Sequence, residues 1–514
     1  MLTEQISLSE TSFRDANGAL TTISRPNTLM RWCVNTMQQA ISLLLVPLSY
    51  LACLFPRGMR PATIREQSDI SSTAYLDALR GYAAYVVYNS HVIHEEWRPE
   101  TSFIMRFPFA KIWFRGHGMV DVFFVISGYA LSFSILKSIH SKQYAKVLNS
   151  LASSTLRRYL RLFVPTALAS FVAMLAISTG LARKGESPEV LQPTFIDNLQ
   201  FWAVDVSRSS SPFQHVVGWW YGGCFGTQYL PQMWTIPVEF RGSVVLYMFL
   251  AATCKMKTKV RLCISWICII AFFWWEATYA GEFLMGMWIA DLRLHHAEHT
   301  HKQDNSPVLL LSPVLNSASD ETIDEEKGLL AEVVCKNDAN RNDTFCRATE
   351  SMPLLFLFVL SIFVCSVTPL TAPMFIDTNS RFPFNLIAWF MPPNYDQGAQ
   401  IHFPLAVGAF MLVYSVDNST LLQRPLQLHI SQFMGELSFG IYAMHNTIRW
   451  IVWEDHLVKW QEEYFSGNHG FWQILPGYLA MTVVVFWSAE VFRKADMKIV
   501  TWTKLLQDRC FEEK

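Results

Sequence analysis

Charge is scarce in this sequence: 16% of its residues are Asp, Glu, Lys or Arg, against 51% hydrophobic and 14% aromatic. Over 514 residues that scarcity excludes a soluble chain of ordinary domains, whose separate cores would need charged surfaces between them. Neither sign prevails, the formal net charge being −1. This argues against nucleic acid as a partner, because neutralising a phosphate backbone requires an excess of Lys and Arg. Paired cysteines are missing as well. The 10 Cys are scattered, several of them in apolar runs (Cys254, Cys263, Cys268, Cys365), with no C-x-x-C spacing, so they read as small apolar core residues. The chain up to Thr28 is polar and lacks an apolar core, so no cleavable signal peptide is expected.

What the sequence has is apolar runs approaching bilayer length. They fall near Tyr75 to Ile93, Met119 to Leu136, Leu162 to Leu181, Met233 to Thr253, Leu262 to Ala277 and Tyr279 to Leu292, and then Pro353 to Leu370, Ile401 to Val416, Phe433 to Val452 and Phe471 to Val491. The pattern predicts an all-α integral membrane protein, a bundle of about ten helices of roughly twenty residues each. An earlier run, Ile41 to Phe55, contains Pro47 and is followed by Arg57, Arg60 and Arg65; it reads equally as an interfacial helix and is left out of the count.

Basic residues set the expected orientation. Lys137, Lys142, Lys146, Arg157, Arg158 and Arg161 fall in one loop, and Lys255, Lys257, Lys259 and Arg261 in the next loop on that side, so these loops and both termini are expected in the cytosol. The sequons at Asn342 and Asn418 should then stay unglycosylated. Domain organisation follows: an N-terminal cytosolic tail with an interfacial helix (1–74), a membrane domain (75–492) interrupted by a flexible cytosolic insert (293–352), and a cytosolic tail (493–514). The insert opens with His295, His296, His299 and His301, but nothing apolar would rigidify a metal site there and no metal is expected.

Ionisable groups inside apolar helices cost about 3 kcal/mol each at mid-bilayer, so they mark candidate chemistry. Arg80 precedes His91 by three helical turns, roughly 16 Å, which puts both on one face. One face can therefore hold a cation and, about three turns on, an imidazole able to take a hydroxyl proton at neutral pH; a coenzyme A thioester, stretched between its phosphates and its sulfur, has a comparable length. Taken singly, Arg80 reads as an interfacial anchor and His91 as an interfacial histidine. Asp121 opens the second helix where it would orient His91, or serves as a cap; Glu239 is placed to accept a hydrogen bond from substrate or His91, or to pair with Arg241. Ser127 lacks the turn that exposes a nucleophile and is assigned to packing or a backbone hydrogen bond. His445 adds a second imidazole toward the same end.

The segments Tyr75-Leu76-Asp77-Ala78-Leu79-Arg80-Gly81 with His91, Val120-Asp121-Val122-Phe123-Phe124-Val125-Ile126-Ser127-Gly128, and Arg157-Arg158-Tyr159-Leu160-Arg161-Leu162-Phe163-Val164-Pro165 come first in chain order. Trp234-Thr235-Ile236-Pro237-Val238-Glu239 and Leu437-Ser438-Phe439-Gly440-Ile441-Tyr442-Ala443-Met444-His445 follow. In that order, the chain from about Tyr75 to Phe492 resembles the acyltransferase 3 family of multi-spanning membrane acyltransferases, in a form like its fungal members. The resemblance implies transfer from acyl-CoA, usually acetyl-CoA, as co-substrate rather than bound cofactor. The expected acceptor is a hydroxyl of a small metabolite, with a glycan or lipid as alternative. Arg80 and His91 are the matched functional pair; Arg157, Arg158 and Arg161 suit the coenzyme A phosphates or anchor the chain, and Trp234 and His445 face the substrate. The chain departs from the family at Tyr442-Ala443-Met444-His445, where many relatives have Trp before His, and at Phe240-Arg241-Gly242 after the Glu. A transporter without transferase chemistry is the competing class, although no internal repeat is visible.

Overall fold

The computed structural model describes residues 71–97, 107–182, 190–212, 227–304, 352–366, 389, 395, 397–465 and 471–510. The run Ile41 to Phe55, the sequon at Asn342 and residues 305–351 of the insert lie outside them. Among the described residues the regular elements are helices: α1 (Ala74–Trp97), α2 (Gly116–His140), α3 (Tyr144–Ser178), α4 (Phe195–Ser209), α5 (Thr235–Thr253), α6 (Thr258–Trp274), α7 (Thr278–Asp304), α8 (Met352–Ser366), α9 (Gln397–Asn418), α10 (Thr420–Leu426), α11 (His429–Ile448), α12 (Val458–Phe465) and α13 (Phe471–Cys510). Between α11 and α12 the chain winds as a π-helix over Arg449–Leu457.

Four described helical stretches are long and apolar enough to cross a membrane: α2, α3, Pro231–Thr253 including α5, and Trp472–Cys510 within α13. The bent pair α9 and α10, which turns through 96° at Ser419, makes a fifth if counted as one span. Against the expected ten, the others fall short on that measure for visible reasons. The α6 helix has 17 residues, α7 carries Asp291, which pairs inside the bundle, and α1 carries the exposed pair Asp77 and Arg80. At one end, buried Arg261 of α6 donates to Asp291 of α7 at 2.6 and 2.8 Å, while His140 of α2 bridges Asp291 and Glu298 at 2.7 and 2.6 Å. Nearby, Arg293 of α7 meets Asp417 of α9 at 3.0 Å, and Tyr75 of α1 donates to the same carboxylate. These clamps gather the starts of α1 and α6 with the ends of α2, α7 and α9, as up-and-down packing requires.

Two expectations are corrected here. The basic loop is only Ser141 to Gln143, because α3 begins at Tyr144 and carries Lys146, Arg157, Arg158 and Arg161 within a helix of 35 residues. Such a helix is about 52 Å long, well beyond the roughly 30 Å hydrocarbon core, and Leu, Ala and Arg keep it wound where charge interrupts the apolar pattern. The insert also starts later than Arg293, since α7 continues to Asp304.

Close helix contacts rest on glycine. A Cβ at Gly81 would lie 2.3 Å from the Met434 carbonyl carbon, and one at Gly435 would lie 2.6 Å from the Asp77 backbone, so α1 and α11 touch backbone to backbone. Small residues permit this approach in lipid, where no water-driven term presses helices together. The α2 and α7 helices meet in the same way through Gly128 and Gly286.

Candidate active site

The glycine seam brings α1 and α11 together in parallel. Along it Tyr82 meets Ser431 at 2.9 Å, and Arg80 Nε donates to Ser438 Oγ at 3.1 Å. Farther on, the His91 and His445 rings stack with centroids 5.3 Å apart and planes 26° from parallel. Arg80 and His91 thus share one face of α1, as their spacing predicts, and α11 answers each of them. The Nδ1 of His445 lies 3.0 Å from the Ile441 carbonyl, a contact that requires the proton on Nδ1 and leaves Nε2 as an acceptor. That Nε2 is buried and has no hydrogen-bond partner among the described residues.

Beside the seam lies a cavity of about 360 Å³ between α1, α2, α3, α5, α11 and α13. Arg80, Arg158 and Arg161 line it together with Glu239, and Tyr442 is part of its wall. The Tyr442 ring stands 6.0 Å from that of His445 and 6.1 Å from that of Phe123. Its hydroxyl donates to the Gln232 carbonyl and takes a hydrogen bond of 2.8 Å from Thr235. Tyr442 therefore separates the arginine-lined cavity from the histidine pair by one ring.

Glu239 does not pair with Arg241, which instead donates to the Pro212 carbonyl. Its partner is Arg158, whose Nη2 is 2.6 Å from Oε1, and Ser127 Oγ adds a bond of 3.1 Å to the same oxygen. Ser127 thus bonds to a side chain rather than to the backbone alternative expected for it. Arg158 also holds Ser243 Oγ at 3.0 Å through Nε. Three of the four arginines expected to meet the donor line the cavity; Arg157 does not, its Nε being bonded to the Ser153 carbonyl of its own helix at 3.3 Å.

Asp121 is fully buried, and its hydrogen-bond partner is His402 of α9, whose Nδ1 lies 3.2 and 3.3 Å from the two carboxylate oxygens. Asp121 thus meets His402 rather than His91 among the described residues. Glu282 of α7 lies buried beside Asp121. Trp234 is half-buried at the end of a 3-10 turn, Pro231–Trp234, that leads into α5. Sequence reasoning does not find Gln232, Ser438, Asn446 and His402: uncharged amides and hydroxyls carry no cost signal in an apolar run, and His402 stands alone near the start of one.

A family model described as an acyltransferase domain matches residues 73–490. Among characterised proteins, the chain is 29% identical over 409 residues to the O-acetyltransferase PaAT-1 of Phomopsis amygdali, covering 75% of this chain and 73% of that one. It is 22% identical to acyltransferase R4 of a Phoma species, over 73% of this chain and 82% of the relative. It is also 22% identical to acyltransferase clz18 of Cochliobolus lunatus, over 82% and 92% respectively. No solved structure is significantly similar to the chain.

Proposed function

Since this chain belongs to the acyltransferase family whose domain it matches over residues 73–490, we propose that it moves an acetyl group from coenzyme A to a hydroxyl of a small metabolite. Enzymatic transfer displaces the transporter reading. The observation that carries the finer proposal is the cavity itself. Three guanidinium groups line it, and Tyr442 backs onto the stacked His91 and His445.

Arg80, Arg158 and Arg161 suit the phosphates of the donor, because guanidinium forks bind phosphate oxygens in pairs. With the phosphates held there, the pantetheine arm extends past Tyr442 toward the imidazoles. An imidazole then takes the acceptor's proton as its oxygen attacks the thioester carbonyl. Glu239 holds Arg158 in place rather than meeting the acceptor. A small apolar metabolite with a hydroxyl fits the acceptor role, and the O-acetyltransferase named among the relatives supports an oxygen nucleophile. The excess of Lys137, Lys142, Lys255, Lys257 and Lys259 at the ends of α2 and α6 supports the reading that this side of the bundle and both termini face the cytosol.

The test is single-turnover transfer of labelled acetyl from acetyl-CoA to a panel of hydroxylated metabolites, sugars and lipids, comparing wild-type membranes with His91→Ala at matched protein level. Labelled ester that disappears in the variant is the expected result. Equal labelling in both would remove His91 from the chemistry.

A further inference from the structure

A base accounts for half of an acyl transfer; the carbonyl oxygen, which becomes an oxyanion, needs a donor. The fold provides one beside the histidines. Gln232 sits in the 3-10 turn before α5 and is 6% exposed; Asn446 on α11 is likewise 6% exposed, and His445 is fully buried. Asn446 Nδ2 donates to Gln232 Oε1 at 2.7 Å, and the Gln232 main-chain carbonyl accepts from Tyr442. Tyr442, His445 and Asn446 occupy positions i, i+3 and i+4 of α11, so they share a face, and Gln232 is clamped against that face at two points.

The clamp leaves atoms over. Gln232 Nε2, Asn446 Oδ1 and His445 Nε2 are all buried without a partner among the described residues. Leaving a buried polar group unmade costs about 1–3 kcal/mol, so two such atoms on one face of α11 and a third on the turn clamped to it mark a place where a ligand completes the bonding. Turning both amides over changes nothing in the count: two amides joined by one hydrogen bond always retain one free amino group and one free carbonyl.

We infer that the Gln232–Asn446 amide pair is the acyl-carbonyl subsite, its free amino group donating to the thioester oxygen. This rests on the coenzyme A-dependent transfer proposed above. The acceptor oxygen adds to the thioester carbon and its proton passes to an imidazole nitrogen. The carbonyl electron pair moves onto oxygen, where the amide N–H meets it. Collapse restores the carbonyl and breaks the carbon–sulfur bond, and the thiolate takes the proton back from the imidazolium, leaving as the free thiol of coenzyme A.

The test follows free-thiol release from acetyl-CoA in a single turnover with water as acceptor, using the full-length chain in detergent. Gln232→Glu keeps an oxygen for Asn446 but replaces the donor with an acceptor; the rate should fall about 10²–10³-fold, the usual loss on removing an oxyanion donor. Binding of S-ethyl-coenzyme A, a thioether without the carbonyl, should stay unchanged. Asn446→Asp, which releases the grip on Gln232, should lose about tenfold or more with the same binding, and it decides the matter if Gln232→Glu fails to bind the thioether. Wild-type rates in both variants, with His91→Ala inactive, would overturn the amide subsite and leave the transferase reading standing. No thiol release by the wild-type chain, either with water or with the panel of hydroxylated metabolites, sugars and lipids, would overturn both.

Discussion

The imidazoles of His91 and His445 stack at 5.3 Å although they come from opposite ends of the membrane domain. One ring is fixed in tautomer by a carbonyl of its own helix, and the other lies against it. Under the proposed mechanism the two rings act as one unit. Alanine at either position should lower acetyl transfer by about 10²–10⁴-fold, the range for loss of a general base. The double variant should be little worse than the poorer single, as groups working together are not additive. Initial rates of labelled transfer give the answer, and losses that multiply would show two independent roles.

Arg80 lines the cavity and Arg157 does not, so the pair tests the proposed phosphate site. Arg80→Ala removes a cavity-lining cation and should raise KM for acetyl-CoA about tenfold, near 1.4 kcal/mol. Arg157→Ala, outside the cavity, should leave KM within about twofold. Steady-state kinetics with acetyl-CoA as varied substrate distinguishes the two, and similar shifts would place the phosphates elsewhere.

The pair Arg158 and Glu239 is largely buried, at 13% and 24% exposure. Arg158→Met strands the carboxylate and should destabilise the fold by about 3 kcal/mol, whereas replacing both partners with apolar residues restores much of that loss. Thermal melting in detergent should therefore rank the double variant Arg158→Met with Glu239→Leu above Arg158→Met alone. The reverse order would mean that Glu239 has adequate solvent contact without its partner.

At Gly435 a methyl group would press on the Asp77 backbone, with no flexible side chain to yield. Gly435→Ala should cost about 1–3 kcal/mol by overpacking and should also slow transfer, because spreading α1 from α11 parts the histidines. Melting temperature and rate are expected to fall together. A slower enzyme with unchanged melting would show that the seam serves alignment alone.

Asn418, at the elbow between α9 and α10, tests orientation. It lies at the end of the bundle that carries the basic residues and should receive no glycan when the chain is made in a eukaryotic cell. A shift in mobility removed by glycosidase and by Asn418→Gln would invert the topology.

Much of this was legible in residues alone. The spacing of Arg80 and His91 gives a shared face, and an ionisable group inside an apolar run advertises itself through its desolvation cost. Depth was harder to read: Arg157, Arg158 and Arg161 look like loop residues until α3 is seen to run through them. Partnership was harder still. Asp121 needed a buried partner, yet nothing local separates His91 from His402, which lies 281 positions away. Gln232 and Asn446 gave no signal, since a neutral amide acquires meaning only from the helix it faces.

The glycine seam also sets when the enzyme can exist. Arg80 and its α11 partner Ser438 are 358 positions apart. At about 5–20 residues per second, roughly 20–70 s of synthesis separates them. During that interval a chain already threaded into the membrane holds His91 without its neighbour. The pairing of the two imidazoles is thus deferred to the last quarter of translation, and a product truncated before α11 lacks His445 altogether.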